Sequence, residues 1–268
     1  MKNTMIKWLL ALVVTGSVVA ACSTVPITGR KQLNLLPESQ MMSMSLTQYE
    51  QFLNENAVSK DKEKTEMVKE VGNRIADAVE EYFSQNGMSG RIENFKWEFN
   101  LIEDDTPNAW CMPGGKVVVY TGILPVTENE TGLAVVMGHE IAHAVARHGN
   151  ERMSQEMGVQ LGGAALAAAI DEKPEQTQNI FMAAYGLGSQ FAYKLPYSRT
   201  HESEADQLGL IFMAMAGYNP QEAVDFWQRM SNMGGQKPPE FLSTHPSDET
   251  RVKKLREFMP EAMKYYNR

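Results

Sequence analysis

The chain has 268 residues, of which 43% are hydrophobic and 22% are charged, and its formal net charge is −8. These proportions are typical of a globular protein that buries a sizeable core. The acidic balance, with no run of Lys or Arg, argues against a nucleic-acid-binding surface, so we expect no nucleic acid among its partners.

The first 22 residues have the layout of a secretory signal. Lys2 and Lys7 lead into the apolar stretch Trp8 to Val14, which is too short for a membrane-spanning helix. The segment Val19-Ala20-Ala21-Cys22 resembles a bacterial lipobox, which implies cleavage before Cys22 and acylation of that cysteine. The alternative is a plain signal peptide followed by a chance cysteine.

Lipidation of Cys22 would divide the chain into a signal peptide over residues 1–21, a lipidated tether over 22–37 and a single domain over 38–268. Acyl chains would then hold the protein on a membrane. We expect a location in the cell envelope, facing the periplasm, and Ser23 is compatible with the outer membrane. Cys111 would have no disulfide partner within the chain and is expected to be a packed thiol.

Two helices are predicted first along the mature chain. A polar helix is expected from Glu38 to Asn54. The next stretch repeats apolar residues every four positions and predicts an amphipathic helix, at Met67, Val71, Ile75, Val79 and Phe83.

A small antiparallel sheet is predicted next. Apolar residues alternate with polar ones in "FKWEFNLIED", as in a half-buried strand. The segments "NAWCM" and "KVVVYTG" predict two more strands, joined by a turn at Pro113-Gly114-Gly115.

Helices account for the rest of the chain. One should begin near Thr127, where a capping-box pattern occurs, and contain "HEIAH", residues 139–143. Residues 158–170, "GVQLGGAALAAAI", predict a closely packed helix, because a membrane span needs about 20 residues. Three further helical stretches follow "SRTHESEADQLG".

The HEIAH segment indicates a metal site. His139 and His143 lie four residues apart, so on a helix both imidazoles can point at one ion, and imidazole is a good zinc ligand. Glu140 would lie beside the metal, where its carboxylate can accept a proton from water. The alternative is a solvated helix with unrelated histidines, which the apolar residues on both sides of the motif disfavour.

A catalytic zinc ion needs a third protein ligand. The chain offers four candidates downstream: His201, Glu202, Glu204 and His245. Glu202 and Asp206 are four apart on a predicted helix, so one could bind zinc while the other orients a ligand histidine through its far nitrogen.

Three motifs together resemble a known family: HEIAH, Ser198-Arg199…Glu202…Ala205-Asp206, and Thr244-His245-Pro246. In this order they resemble the HtpX-like and CAAX-endopeptidase-like zinc metallopeptidases of peptidase family M48, the bacterial lipoprotein members in particular. The resemblance implies an α+β, mainly helical, gluzincin-like domain with one Zn²⁺ per chain. It implies His139, His143 and Glu202 as ligands, Glu140 as general base, and Asp206 as the partner of a ligand histidine.

The same resemblance implies roles for four more residues. His245 would approach the zinc site, either to stabilise the oxyanion or to occupy the open position at rest, and a local role at a helix entry is the alternative. Arg251 would hold the loop of His245, or else be an exposed helix arginine. Asn108 and Ala109 would form a substrate-binding edge, or else belong to an ordinary strand.

The expected function is a zinc-dependent metalloendopeptidase that cleaves unfolded or misfolded proteins of the bacterial envelope. The first alternative is a zinc-holding chaperone or binding module with little proteolysis. A zinc deaminase is disfavoured because the chain has no Cys-x-x-Cys. The sequence leaves the oligomeric state open.

Overall fold

A computed structural model describes residues 22–190, 195–233, 241, 245 and 249–266. The predicted signal peptide, residues 1–21, lies outside the described residues. The chain forms two compact units: unit 1 combines residues 22–40 with Arg147–Thr200, and unit 2 combines Met41–Ala146 with His201–Arg268. The predicted organisation into a tether and a single domain over 38–268 stays a prediction.

The strands are β1 (Cys22–Thr24), β2 (Lys31–Leu33), β3 (Glu98–Ile102), β4 (Ala109–Met112) and β5 (Lys116–Tyr120). The helices are α1 (Glu38–Glu55), α2 (Lys62–Gln85), α3 (Leu124–Thr127), α4 (Glu130–Val145), α5 (His148–Ile170), α6 (Glu175–Ser189), α7 (Leu195–Met215), α8 (Glu222–Met233) and α9 (Glu249–Tyr266). Within the described part of the chain, no helix is both long enough and apolar enough to cross a membrane.

Unit 1 contains the segment predicted as a tether. β1 and β2 pair antiparallel within it, and the residues that follow are bonded to α5. Both terminal nitrogens of Arg30 donate to the buried carboxylate of Glu151 at 2.7 Å, and the backbone N–H of Leu35 donates to Ser154 Oγ at 2.8 Å. The first part of the predicted tether is therefore a folded hairpin attached to a helix.

The amphipathic pattern of α2 is confirmed in unit 2. Asp61 caps the helix, its side chain accepting a hydrogen bond from the backbone N–H of Lys64. The four-residue repeat places Val71, Ile75, Val79 and Phe83 in the core, each at most 1% exposed. This stripe packs against β3 and α4, and so forms the floor on which the central helix lies.

The predicted small sheet is present, and its strand order is β3-β5-β4. β4 and β5 form the predicted antiparallel hairpin, in which Gly114 and Gly115 adopt φ of 90° and 83°. β3, however, runs parallel to β5, so the expectation of an entirely antiparallel sheet is corrected at this strand. The hairpin turns β5 back into the middle of the sheet, where it lies between β3 and β4, and β4 becomes an edge strand.

Helix α4 begins slightly later than the capping-box pattern suggested. Thr127 ends the short helix α3, and Glu128, with φ of 63°, separates α3 from α4. Asn129 is the N-cap of α4, its side chain accepting from the backbone N–H of Gly132. The left-handed conformation of Glu128 starts a new helix axis and thereby directs α4 through the core.

Residues 158–170 form the second half of α5, and the helix that was predicted there is confirmed. The expectation that this helix is closely packed is wrong, because most of these residues are exposed. Helix α6, which the sequence did not predict, contributes Tyr185 to one side of α5, where a Cβ added at Gly162 would meet the tyrosine hydroxyl at 2.3 Å. The small residues of this segment therefore make room for a single ring.

Candidate metal centre

The histidines and the glutamate of HEIAH lie on the buried side of α4. His139 is 2% and Glu140 is 4% exposed. Neither burial is expected for an isolated helix surface, because polar side chains enter a core only where they find partners. The solvated-helix alternative is therefore wrong.

A close helix crossing brings the third candidate ligand to α4. A Cβ added at Gly138 would stand 3.1 Å from the carbonyl oxygen of Gly209, and one added at Gly209 would stand 3.0 Å from the backbone of Gly138. Glycine at both positions lets the backbones of α4 and α7 nearly touch. Glu202 lies two turns earlier on α7, and its carboxylate faces the two histidines.

Four side chains direct donor atoms at one point. His139 Nε2 lies 3.1 Å from His143 Nε2 and 3.3 Å from Glu202 Oε2. His245 Nδ1 lies 3.1 Å from His139 Nε2 and 3.0 Å from Glu202 Oε2. Ligand atoms of these four residues all fall within 4.8 Å of one another.

The donor set and its spacing fit a zinc ion. Tetrahedral zinc with bonds of about 2.0–2.1 Å places neighbouring donor atoms about 3.3–3.4 Å apart. The observed separations of 3.0–3.3 Å are close to this value, and imidazole nitrogen with carboxylate oxygen is the chemistry that zinc selects. His139, His143 and Glu202 would supply three ligands, and His245 lies at the fourth position.

A second layer of buried charges orients the first. Asp206, one turn after Glu202 on α7, lies 3.0 Å from His139 Nδ1. Arg251 of α9 donates to both oxygens of Asp206, at 2.9 and 2.6 Å, and its Nη1 lies 3.3 Å from Glu202 Oε2. This bidentate contact fixes the Asp206 carboxylate, and through it the ring of His139.

The guanidinium of Arg251 rests on a tryptophan that the sequence analysis did not single out. Its central carbon lies 3.2 Å from the centre of the Trp227 ring, and the ring of Trp227 is stacked on Phe241. Phe241 in turn lies 4.8 Å from the ring of His245. Trp227 occurs in the strongly amphipathic helix α8. That pattern predicts that the tryptophan is buried, but it does not predict that Arg251 stacks on it.

The electrostatics keep both carboxylates ionised. Burial alone would raise the pKa of Glu202, but His143, His139 and His245 outweigh it and hold that pKa far below its usual value. Burial likewise opposes ionisation of Asp206, and Arg251 with His139 lowers its pKa instead. Both groups are therefore present as carboxylates, the form that binds a metal or orients an imidazole.

A model of Peptidase family M48 matches residues 64–259, which contain all of these site residues. The chain belongs to peptidase family M48. The match covers most of the chain and agrees with the α+β, mainly helical architecture described above.

Named relatives of this M48 chain come from mitochondria and from bacteria. It is 40% identical over 190 residues to Mitochondrial metalloendopeptidase OMA1 of Schizosaccharomyces pombe, which covers 70% of this chain and 53% of the relative. It is 31% identical over 249 residues to the human Metalloendopeptidase OMA1, mitochondrial, covering 89% and 46%. It is 32% identical over 168 residues to the Putative beta-barrel assembly-enhancing protease of Vibrio cholerae, covering 59% and 34%. The chain thus spans between about a third and a half of these relatives.

Among the alternatives for the third ligand, the M48 chain brings Glu202 and His245 to the donor group. His201 and Glu204 are also buried, at 1% and 3% exposed, but lie outside that group. Neighbouring positions on a helix point in different directions, so they cannot all face the two histidines. The sequence does not show which direction faces α4, and spacing alone therefore could not identify the third ligand. His148, the remaining histidine of the chain, is buried in unit 1.

The predicted substrate-binding segment at Asn108 and Ala109 lies at the start of β4, at the edge of the sheet. β4 packs on α4, and in the described part of the chain it pairs with β5 on one side only. The backbone N–H of Tyr120 donates to Asn108 O, so Asn108 faces β5, and the alternation of strands turns the backbone groups of Ala109 and Cys111 to the open edge. The Asn108 side chain accepts a hydrogen bond from the N–H of Ala109 at 2.9 Å.

Cys111 lies half-buried on this strand. Burial raises the pKa of its thiol, and the nearby carboxylate of Glu140 raises it further. A neutral, packed thiol agrees with the prediction of a structural role.

Proposed function

We propose that this chain is a zinc-dependent metalloendopeptidase that hydrolyses peptide bonds of unfolded or misfolded envelope proteins. The observation that carries the proposal is the group of four donor atoms on His139, His143, Glu202 and His245. The carboxylate of Glu140 lies beside it, 3.4 Å from His245 Nε2. When bound, zinc would polarise the scissile carbonyl and make water a better nucleophile.

Glu140 is the general base in this proposal. It follows ligand His139 directly, so its carboxylate is adjacent to the metal position without being one of the ligands. It accepts the proton of the attacking water and passes it to the leaving nitrogen of the cleaved peptide. Its burial supports the role, because a carboxylate shielded from solvent keeps the proton within the site.

His245 regulates access to the reacting position. Its Nδ1 is one of the four donor atoms, and its Nε2 lies 3.4 Å from Glu140 Oε1. A peptide carbonyl needs the position that His245 takes here, so turnover requires this side chain to move aside. Once displaced, it is available to donate a hydrogen bond to the developing oxyanion.

Recognition through main-chain hydrogen bonds supports a broad choice of substrate. The outward backbone groups of Ala109 and Cys111 can pair with any extended peptide, whereas a folded protein offers few such segments. Asn108 would release the N–H of Ala109 when the peptide arrives. Unfolded and misfolded proteins are therefore the expected substrate class.

The cell envelope and a lipid anchor at Cys22 belong to the same proposal, together with assignment to the HtpX-like, bacterial lipoprotein branch. Residues 1–22 contain Lys but no Arg, whereas mitochondrial transit peptides are rich in Arg. Cys22 is exposed at the start of β1. The Vibrio cholerae relative, named as a putative beta-barrel assembly-enhancing protease, is a bacterial protein.

The test is cleavage of unfolded casein by the full zinc-loaded chain and by its Glu140→Gln variant, each with zinc content measured. We expect cleavage by the first and a loss of about 10³-fold in the second, with the zinc retained. Binding of zinc and casein without cleavage by either protein would favour the chaperone alternative. Absence of bound zinc from both would overturn the proposal.

A further inference from the structure

The fourth donor residue, His245, is held by backbone contacts outside the donor group. Its backbone N–H donates to the carbonyl of Phe241 at 2.8 Å, and its own carbonyl accepts a hydrogen bond from Arg251 Nη1 at 3.4 Å. Both polar groups of the His245 backbone are therefore bonded. The imidazole can still leave the donor group by rotation about the side-chain bonds, which breaks neither of these hydrogen bonds.

The ring of Phe241 lies against this imidazole. The two ring centres are 4.8 Å apart and their planes are inclined by 34°, which is a favourable geometry for an offset aromatic pair. Rotation of the His245 side chain would separate the rings, so the contact opposes that rotation. The proposed ligands on α4 and α7 take their directions from regular helices, whereas His245 lies outside the helices.

Phe241 has a rigid support in Trp227. The two rings are stacked, with centres 5.8 Å apart and an inclination of 19°. Trp227 also carries the guanidinium of Arg251 at 3.2 Å and meets the ring of His139 edge-on at 5.6 Å. The tryptophan thus joins the fixed part of the metal centre to the ring that contacts His245.

Burial distinguishes the fixed members of this stack from the movable one. Phe241 and Trp227 are at most 1% exposed, so neither ring has room to turn away in a close-packed core. The side chain of His245 keeps 12% of its surface exposed, so it has an open side towards which it can rotate. The packed phenylalanine therefore sets the position of the imidazole.

We propose that Phe241 is a positioning residue for the peptidase reaction: its ring holds the His245 imidazole at the fourth position, and Trp227 holds the ring. Phe241 has no side-chain group that can bind zinc or carry a proton, so it acts through the histidine. The strength of the ring contact then sets the fraction of molecules in which the fourth position is open. This inference rests on the proposed function, because it names what controls access to the same site.

A closed fourth position weakens every ligand that needs it to be open. The apparent dissociation constant of such a ligand is its intrinsic value divided by the open fraction. An aromatic contact of this geometry accounts for about a three- to tenfold shift in an equilibrium. Removal of the Phe241 ring should therefore strengthen binding by about the same factor, with the other donor residues unchanged.

The experiment measures binding of acetohydroxamate, a small chelator whose two oxygens bind zinc, to the full zinc-loaded chain by titration calorimetry. Phe241→Leu removes the ring and keeps the backbone carbonyl that accepts from His245. Phe226→Leu is the matched control, because Phe226 is equally buried and contacts Trp227 edge-on at 5.1 Å. As the neighbour of Trp227 on α8, it points in a different direction from the tryptophan.

We expect Phe241→Leu to bind acetohydroxamate about three- to tenfold more tightly than the wild type, and Phe226→Leu to stay within about twofold. Introduced into His245→Ala, the change at Phe241 should have no further effect, because the side chain that it positions is gone. Equal affinities of wild type and Phe241→Leu would overturn the inference. An equal gain in Phe226→Leu, or an undiminished gain in the His245→Ala background, would overturn it as well.

Circular dichroism and zinc content establish that each variant is folded and loaded, and Phe241→Met replaces Phe241→Leu if the latter does not fold. The assay also separates this inference from the proposed function, since binding of acetohydroxamate needs the metal but no cleavage. The expected pattern in a chain that does not cleave casein would contradict the peptidase proposal alone. Cleavage of casein without the pattern would contradict the role of Phe241 alone.

Discussion

Two regions of the molecule depart from the usual rule that polar side chains are exposed and apolar ones are buried. One is the metal centre between α4 and α7, and the other is the hairpin of α5 and α6. At the centre, His139, Glu140 and Asp206 are buried despite being polar or charged. On the hairpin, Leu161 and Ile180 are 68% and 63% exposed despite being apolar. Each reversal costs free energy unless a partner compensates for it.

The difference lies in where the compensating partner is found. At the centre the partners are in the same chain. Asp206 contacts the ring of His139 and accepts hydrogen bonds from Arg251, and the Arg251 guanidinium stacks on Trp227. On the hairpin no described residue covers the apolar side chains. A misplaced residue type thus indicates function in both regions, but internal partners indicate a reactive site and their absence indicates an external surface.

The largest expected effect comes from removing a ligand at the centre. Glu202→Ala should abolish zinc binding at micromolar zinc and reduce casein cleavage by about 10³-fold or more, since two histidines alone do not complete a zinc site. Metal analysis of the purified proteins measures the first effect. Glu257→Ala, on the exposed face of α9, is the matched control and should bind zinc normally. Full zinc content in Glu202→Ala would show that His245 or another residue is the third ligand.

Next in size is the loss of the buried cation. Arg251→Met should lower the free energy of unfolding of the zinc-free protein by about 3–5 kcal/mol, because two buried carboxylates lose their counter-ion. Urea denaturation measures this. Combining it with Asp206→Asn should recover part of the loss, and strict additivity of the two substitutions would contradict direct coupling.

Asp206→Asn alone should act on zinc affinity, weakening it about 10- to 100-fold while leaving the ligands in place. Competition with a chelating dye measures the affinity.

The pKa of Asp206 is lowered in the folded chain, so its stabilising effect is fully present above the unfolded value of about 3.9 and is lost as the pH falls through the folded pKa. The gap in stability between zinc-free wild type and variant should therefore be wide at neutral pH and should narrow below about pH 4. If the difference in unfolding free energy grew as the pH fell, the pKa of Asp206 could not be lowered in the folded chain.

The smallest effect is expected on the hairpin. Leu161→Glu should change the free energy of unfolding by less than about 0.5 kcal/mol, because the side chain is already exposed. Ile141→Glu, a buried position on α4, should be severely destabilising in the same assay. If Leu161→Glu cost several kcal/mol, the hairpin would belong to the core and the comparison would fail.

The sequence predicted much of the centre because its chemistry follows from short spacings. A spacing of four positions puts His139 and His143 on one helix face, and the same spacing does so for Glu202 and Asp206. The stripe of α2 and the turn at Gly114-Gly115 follow from equally local patterns. Choosing Glu202 over Glu204 required the family resemblance, since both are glutamates and they are only two positions apart.

What the sequence could not supply depends on contacts between distant segments. The stacking of Arg251 on Trp227 joins residues of α8 and α9 whose orientation is set by packing alone. The parallel run of β3 beside β5 depends on which strand enters the middle of the sheet, and the alternation of apolar residues is the same in either direction. Burial of residues 158–170 was expected from their apolar character, which does not reveal whether a partner is present in the chain.

One edge of β4 pairs with no strand among the described residues, and such an edge has a cost. A strand whose backbone groups are available to a client peptide is equally available to other unfolded chains, and such edges seed aggregation. The strand is only four residues long, and the side chain of Asn108 already occupies one of its N–H groups. The short strand and the hydrogen bond from the Ala109 N–H to the Asn108 side chain both reduce the length of edge with which another chain could pair.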